Sequence, residues 1–95
     1  MYTIKPGEMS AWLDEWQRLI APLRRRHGFD IVGAWTADEG DRFVWILRYA
    51  GPKTWQEADA AYYASPERAA IQPDPARHIE KTEHWLMTPI DDRRA

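Results

Sequence analysis

Cysteine is absent from the 95-residue chain, and so is asparagine. Without cysteine there is no disulfide scaffold, no Cys-ligated zinc and no thiolate nucleophile. Such a chain suits a reducing compartment. Long apolar runs are missing too. The longest, FVWIL at 43–47, is far short of a membrane span. The opening MYTIKPGEMSAW has no basic stretch leading into an apolar core, so no secretory leader is expected. Nor is there much charge of one sign. A formal net charge of −2 argues against nucleic acid or an anionic membrane as a partner. The expectation is a cytoplasmic protein with no membrane and no nucleic-acid partner.

What the chain does have is aromatic weight: six tryptophans and four tyrosines. Its length fits one small domain over residues 1–90, with DDRRA at 91–95 as a C-terminal tail. A domain of this size buries only about two-thirds of its unfolded surface, so a partner subunit would help it.

The punctuation of the chain predicts its elements. YTIK at 2–5 alternates and meets Pro6-Gly7, a strand ended by a turn. Met9, Trp12, Leu13, Trp16, Leu19, Ile20 and Leu23 recur at three- and four-residue spacings, which predicts a helix over 8–27. Arg24, Arg25, Arg26 and His27 fall in its last turn, where cations suit the negative end of the helix dipole, and Gly28 follows as the stop. Pro22 inside this helix predicts a kink or a frayed final turn. Strands are expected at 29–37 and 42–50, joined by a hairpin turn at DEGD with Gly40 free to take positive φ. Thr54 and Glu57 match a capping box opening a second helix over 55–64. Ser65-Pro66 restarts a short helical turn. A fourth strand over 78–88 ends at Pro89. The order βαββαβ is the ferredoxin-like arrangement, α+β, with a four-stranded antiparallel sheet and two helices on one face.

Strand three implies more than a fold. Phe43, Trp45, Leu47 and Tyr49 occupy one face, while Val44 and Ile46 make the other apolar as well. Two helices on one side cover only one of these faces. A second copy's sheet is the simplest cover for the other, so a homodimer is expected, and Val44 and Ile46 are both expected to be buried.

Candidate site residues divide by element. His78 and His84 share a strand face but lie roughly 20 Å apart at about 3.3 Å per residue, so they cannot share a metal, and no metal site is expected. His84 has two readings: a pocket histidine acting as general base or haem ligand, or a histidine hydrogen-bonded at an interface. Parity puts it opposite Trp85 and Met87, which weighs against a pocket shared with them. His27 reads as a capping cation. Trp12 and Trp16 belong to the helix stripe and read as core. Trp35, Trp45 and Trp85 share odd parity with Tyr49, and Trp55, Tyr62 and Tyr63 come from the second helix. Either these sets line an aromatic cleft between sheet and helices that binds a small molecule, or they simply pack. Arg48 either binds a carboxylate ligand or pairs with Glu80 or Glu83. The run Arg24–Arg26 reads as a solvated helix end and not as a phosphate site, having no Gly-rich loop.

Together the opening YTIKPG, the helix W…W…IAPLRRRHGF, IVGAWTADEG, WILRYAG and the closing EHWLMTPI resemble the NIPSNAP family of dimeric α/β-barrel proteins, over residues 2–90. The resemblance implies two four-stranded sheets closing into a barrel across a dimer, with the helices outside. It implies no particular reaction, since the wider superfamily spans cofactor-independent monooxygenases, haem proteins, isomerases and cyclases. Haem-degrading members rely on an Asn–His–Trp set, which fails here for want of asparagine. The leading expectation is a homodimer that binds a small hydrophobic or aromatic molecule at Trp35, Trp45, Arg48, Tyr49, Trp55 and Tyr62, without a cofactor. The competing expectations are a cofactor-independent monooxygenase of the antibiotic-biosynthesis type with His84 as base, and a non-catalytic interaction module with a filled core.

Overall fold

The computed structural model describes residues 1–37 and 41–90. The hairpin tip around Gly40 and the tail at 91–95 lie outside the described residues. The chain builds β1 (Tyr2–Ile4), then a continuous helix in three parts: α1 (Met9–Glu15), a π-helical turn (Trp16–Ile20) and α2 (Ala21–Arg26). Strands β2 (Phe29–Thr36) and β3 (Arg42–Tyr49) follow. Helices α3 (Trp55–Ala64) and α4 (Pro66–Ala69), a 3₁₀ turn (Pro75–His78) and β4 (Ile79–Thr82) complete the fold. The sheet order is β2-β3-β1-β4 with every neighbour antiparallel, the ferredoxin-like α+β topology.

Proline 22 explains the π turn. It has no N–H for the carbonyl four residues back and its ring crowds that carbonyl. The helix widens just ahead of it: the Ala21 N–H reaches the Trp16 carbonyl, five residues back. Helical winding then continues through Arg26, and Gly28 ends it at φ +89, with the His27 N–H bonded to the Leu23 carbonyl. The π turn also aligns the buried row. In an α-helix each four-residue step drifts by about 40°. One wider turn takes up part of that drift, and Trp12, Trp16, Ile20 and Arg24 all end up buried.

Under α1 and the π turn lies a cluster of Ile4, Trp12, Trp16, Ile20, Ala21 and Phe43. Phe43 is its centre, with the rings of Trp12 and Trp16 edge-on at 5.5 and 5.1 Å. A second cluster, Leu23, Phe29, Ala58 and Tyr62, joins α2 and β2 to α3. The capping box that opens α3 is present in full: Thr54 Oγ1 accepts from the Glu57 N–H, and Glu57 Oε1 accepts from the Thr54 N–H, each at 3.2 Å.

The odd positions of β3 meet the helices. On β2 the parity changes partway, because a β-bulge at Val32 separates the pairs Ile31↔Leu47 and Gly33↔Ile46. Before the bulge Phe29 and Ile31 face the core; after it Ala34 does, and Trp35 turns to the helix-free side with 52% of its surface exposed. The expectation that Trp35 shares a face with Trp45 and Tyr49 is thereby corrected. Trp35 lies over Gly33 instead: a Cβ on Gly33 would stand 2.6 Å from the indole. Val44 and Ile46 are half-buried on that same side.

The fourth strand is shorter than expected. Pairing stops after Thr82 because β1 offers only three residues, and Met1 and Glu83 close the ladder with reciprocal backbone bonds. Residues 83–90 then run without a ladder and expose Trp85, Leu86, Met87 and Ile90.

His78, just before β4, is buried as a clasp. Its Nδ1 lies 2.7 Å from Glu8 Oε1 and its Nε2 3.0 Å from Glu15 Oε2. Arg77 grips Glu15 with its Nη1 and Nη2, donating to Oε1 and Oε2 at 2.8 and 2.9 Å. A neutral imidazole donates from one nitrogen only, so both contacts are donated bonds when the ring carries two protons. The clasp pins the entry of β4 to α1.

Two predictions follow from this packing. Gly33→Val should destabilise by roughly 1 kcal/mol by displacing the Trp35 ring, and adding Trp35→Ala should recover most of that loss. Additive losses in a double-mutant cycle of melting temperatures would contradict the ring-on-glycine contact.

The second concerns acid. Arg77's hydrogen bonds, with help from His78, hold the Glu15 carboxyl below its ordinary value of 4.5 against the opposing effect of burial. A depressed carboxyl contributes stability above its unfolded pKa and loses it as pH falls through the folded one. Wild type should therefore lose melting temperature below about pH 4.5, and Glu15→Gln, weaker at pH 7, should lose less on acidification. Parallel pH profiles for the two proteins would rule the clasp out as the acid-labile element.

Candidate functional site

Between the helix layer and the sheet lies a cleft of about 50 Å³. Tyr2 on β1, Trp45 on β3, Trp12 on α1 and Tyr62 and Tyr63 on α3 supply its rings. Arg24 of α2 and Arg68 of α4 supply its cations. Typical small-molecule pockets run about 300–1,000 Å³, so this cleft has room for a few atoms only.

Arg24 is only 3% exposed, which corrects the expectation that Arg24–Arg26 is a solvated helix end; Arg25 and Arg26 alone fit it. The row that carries Trp12, Trp16 and Ile20 inward carries Arg24 inward too. Its guanidinium carbon stands 3.8 Å from the Tyr62 ring centre and 4.7 Å from that of Phe29. Its Nη1 donates to Asp59 Oδ1 of α3 at 2.8 Å. Ring faces attract the cation and Asp59 balances its charge, which together offset its removal from water.

Arg68 is placed by local capping. Pro66 starts α4, and Ser65 Oγ accepts from the Arg68 N–H at 3.2 Å while donating to the Tyr62 carbonyl at 2.7 Å. The side chain, 8% exposed as a residue, then donates to Asp74 Oδ1 at 2.8 Å. Burial alone would raise the Asp74 carboxyl. The bonds from Arg68 and the Ala76 N–H, with the charges of Arg68 and Arg77, overcome that and hold it below its ordinary value.

Both neighbouring phenols are kept neutral. Burial pushes the Tyr2 hydroxyl up to about 12, with the Trp45 indole and the Arg24 charge opposing. Burial likewise raises Tyr62 against the charges of Arg24 and Arg68. The decisive feature is what these groups leave undone. Trp12 Nε1, Arg24 Nε, Tyr62 Oη and Arg68 Nε are all buried, all belong to residues lining the cleft, and have no hydrogen-bond partner among the described residues. Three of the four can only donate.

Of the expected ligand residues, the structure brings Trp45 and Tyr62 to this cleft. Tyr49 and Trp55 pack beside it against Phe29, in the cluster under α3. Trp35 is on the other face of the sheet. Arg48 is there too, exposed and 3.3 Å from Asp30, its partner across the β2–β3 ladder. That replaces the expected pairing with Glu80 or Glu83. His84 is exposed in the segment after β4 and does not line the cleft. A larger hollow of about 430 Å³ at Arg25, Gly28, Asp30 and Arg48 is open to solvent, and two of its charged groups already satisfy each other. Among the described residues no group of three or more acidic or histidine side chains is placed to hold a metal. No helix described is long and apolar enough to cross a membrane.

Sequence reading placed Tyr63 with Tyr62 as a candidate cleft residue and missed Tyr2, Trp12, Arg24 and Arg68. For Arg24 the signal existed, as the fourth member of an otherwise apolar row at four-residue steps. For Arg68 no local pattern distinguishes it from any surface arginine.

The family comparison agrees with this topology. A family model described as NIPSNAP matches residues 1–92. Comparison with curated proteins and with solved structures gives no match. Covered over all but its last three residues, the chain belongs to the NIPSNAP family.

Proposed function

We propose that the protein is a homodimeric binding protein for a small hydrophobic or aromatic molecule, taken up at the cleft between helices and sheet. The observation that carries this reading is the convergence of Tyr2, Trp45, Tyr62 and Tyr63 from three separate elements on one cleft. Tyr63 is half-exposed and forms its lip, so an aromatic body can stack at the mouth while a smaller group enters. The residues lining the cleft include no histidine or carboxylate, and the phenols are held neutral. A base-assisted oxygenation finds no base there, which favours binding over turnover.

The other face supports the dimer. Val32 and Trp35 are exposed beside half-buried Val44 and Ile46; Trp85, Leu86 and Met87, in the unpaired segment after β4, are 61–66% exposed as well. A second sheet laid against this one would remove that apolar surface from water at about 25 cal/mol per Å².

Two measurements test the reading. Titration with a panel of small aromatic compounds, followed by the indole N–H resonances, should shift the Trp12 and Trp45 signals, and Tyr63→Ala should weaken the binding. A panel that leaves both signals in place would sink the cleft as a binding site. For the dimer, light scattering at micromolar concentration should give the mass of two chains, and Ile46→Glu should give one folded chain or an unfolded one. A stable wild-type monomer would overturn it.

A further inference from the structure

We infer that the molecule taken up at this cleft carries a carboxylate, and that Arg24 and Arg68 are the groups that receive it. The inference rests on the binding reading above and specifies the chemistry of the ligand.

The donors count first. Trp12 Nε1, Arg24 Nε and Arg68 Nε are buried N–H groups with no well-formed hydrogen bond among the described residues, and Tyr62 Oη, which can donate or accept, lies beside the Arg68 guanidinium with none either. An ionised carboxylate accepts at about four lone-pair positions and donates nothing, which matches this set. A neutral alcohol or amide would bring a donor of its own into a cleft whose own free groups are mostly donors.

Size comes next. About 50 Å³ holds a headgroup of a few atoms and excludes a whole aromatic ring. The charged end therefore goes in, and the apolar body stays at the lip beside Tyr63, which is half-exposed.

Charge decides between anion classes. Each guanidinium already has one carboxylate at 2.8 Å, Asp59 for Arg24 and Asp74 for Arg68. Those carboxylates sit outward, with side chains 34% and 53% exposed, whereas the arginine side chains are 4% and 10% exposed. Water screens the acids far more than the cations. The interior thus remains favourable to negative charge, but not by two full units. A monoanion fits better than a dianionic phosphate. The planar fork of arginine, using its Nε edge, is also the usual partner of a carboxylate.

The probes are benzoate and its neutral counterpart benzamide, titrated into the full-length protein and read by the Trp12 indole and arginine Nε–H resonances. Benzoate should bind with downfield shifts of the Trp12, Arg24 and Arg68 signals, and benzamide at least tenfold more weakly. Arg68→Met should weaken benzoate by about tenfold or more and narrow the gap between benzoate and benzamide. If that variant fails to fold, the wild-type arginine signals decide: no shift with bound benzoate overturns the inference. Equal binding of benzoate and benzamide overturns the carboxylate and leaves the aromatic-binding reading standing. If neither probe binds, both fall.

Discussion

The buried guanidinium of Arg24 is the interaction on which the helix layer depends. It is one side chain, yet it touches Phe29 of β2 and Tyr62 of α3, reaches toward Trp45 of β3, and ion-pairs with Asp59 of α3. Two helices and two strands meet at it. An isolated cation in that position would cost many kcal/mol, far beyond what ring contacts of about 0.5–2 kcal/mol each return. The ion pair with Asp59 makes burial tolerable, and it does so only if α3 lies where it does. The position of α3 over the second cluster is thus tied to the charge of α2 as well as to the fit of Tyr62 against Phe29 and Leu23.

The constraint reaches back to Pro22. A straight α-helix would carry the fourth member of the Trp12–Trp16–Ile20–Arg24 row around its side by about 120°. The π turn forced ahead of Pro22 limits that rotation, and Arg24 stays on the buried side. A residue that breaks local helical bonding therefore sets which arginine of three enters the protein. Arg25 and Arg26, one and two residues on, are exposed.

How much of this was legible in the sequence depends on the range of the forces involved. Capping at Thr54–Glu57, the stop at Gly28 and the stripe of the first helix are local, and they stand in the sequence as spacings. The βαββαβ order follows from them. Parity along β2 was not legible, because the bulge at Val32 is a property of two strands paired, and it sends Trp35 away from Trp45. The end of β4 depends on the short length of β1, its partner at the opposite end of the chain. Arg68 and Asp74 meet through a turn whose geometry no single residue type announces. Hence Trp45 and Tyr62 could be placed from patterns, while the charged half of the cleft could not.

The cleft's chemistry follows from an imbalance in the core. A buried donor without an acceptor costs roughly 1–3 kcal/mol. Four such donors around one cleft would approach the whole stability of a typical domain, about 5–15 kcal/mol. Acceptors from outside the chain, water or a ligand, would relieve that cost. Water can enter a space of about 50 Å³, but each molecule offers two lone pairs and brings two donors with it. A carboxylate offers its lone pairs alone and adds a charge that two weakly screened guanidinium groups attract. On the proposed reading, a bound carboxylate is the state that best satisfies these groups, and the aromatic walls select what it is attached to.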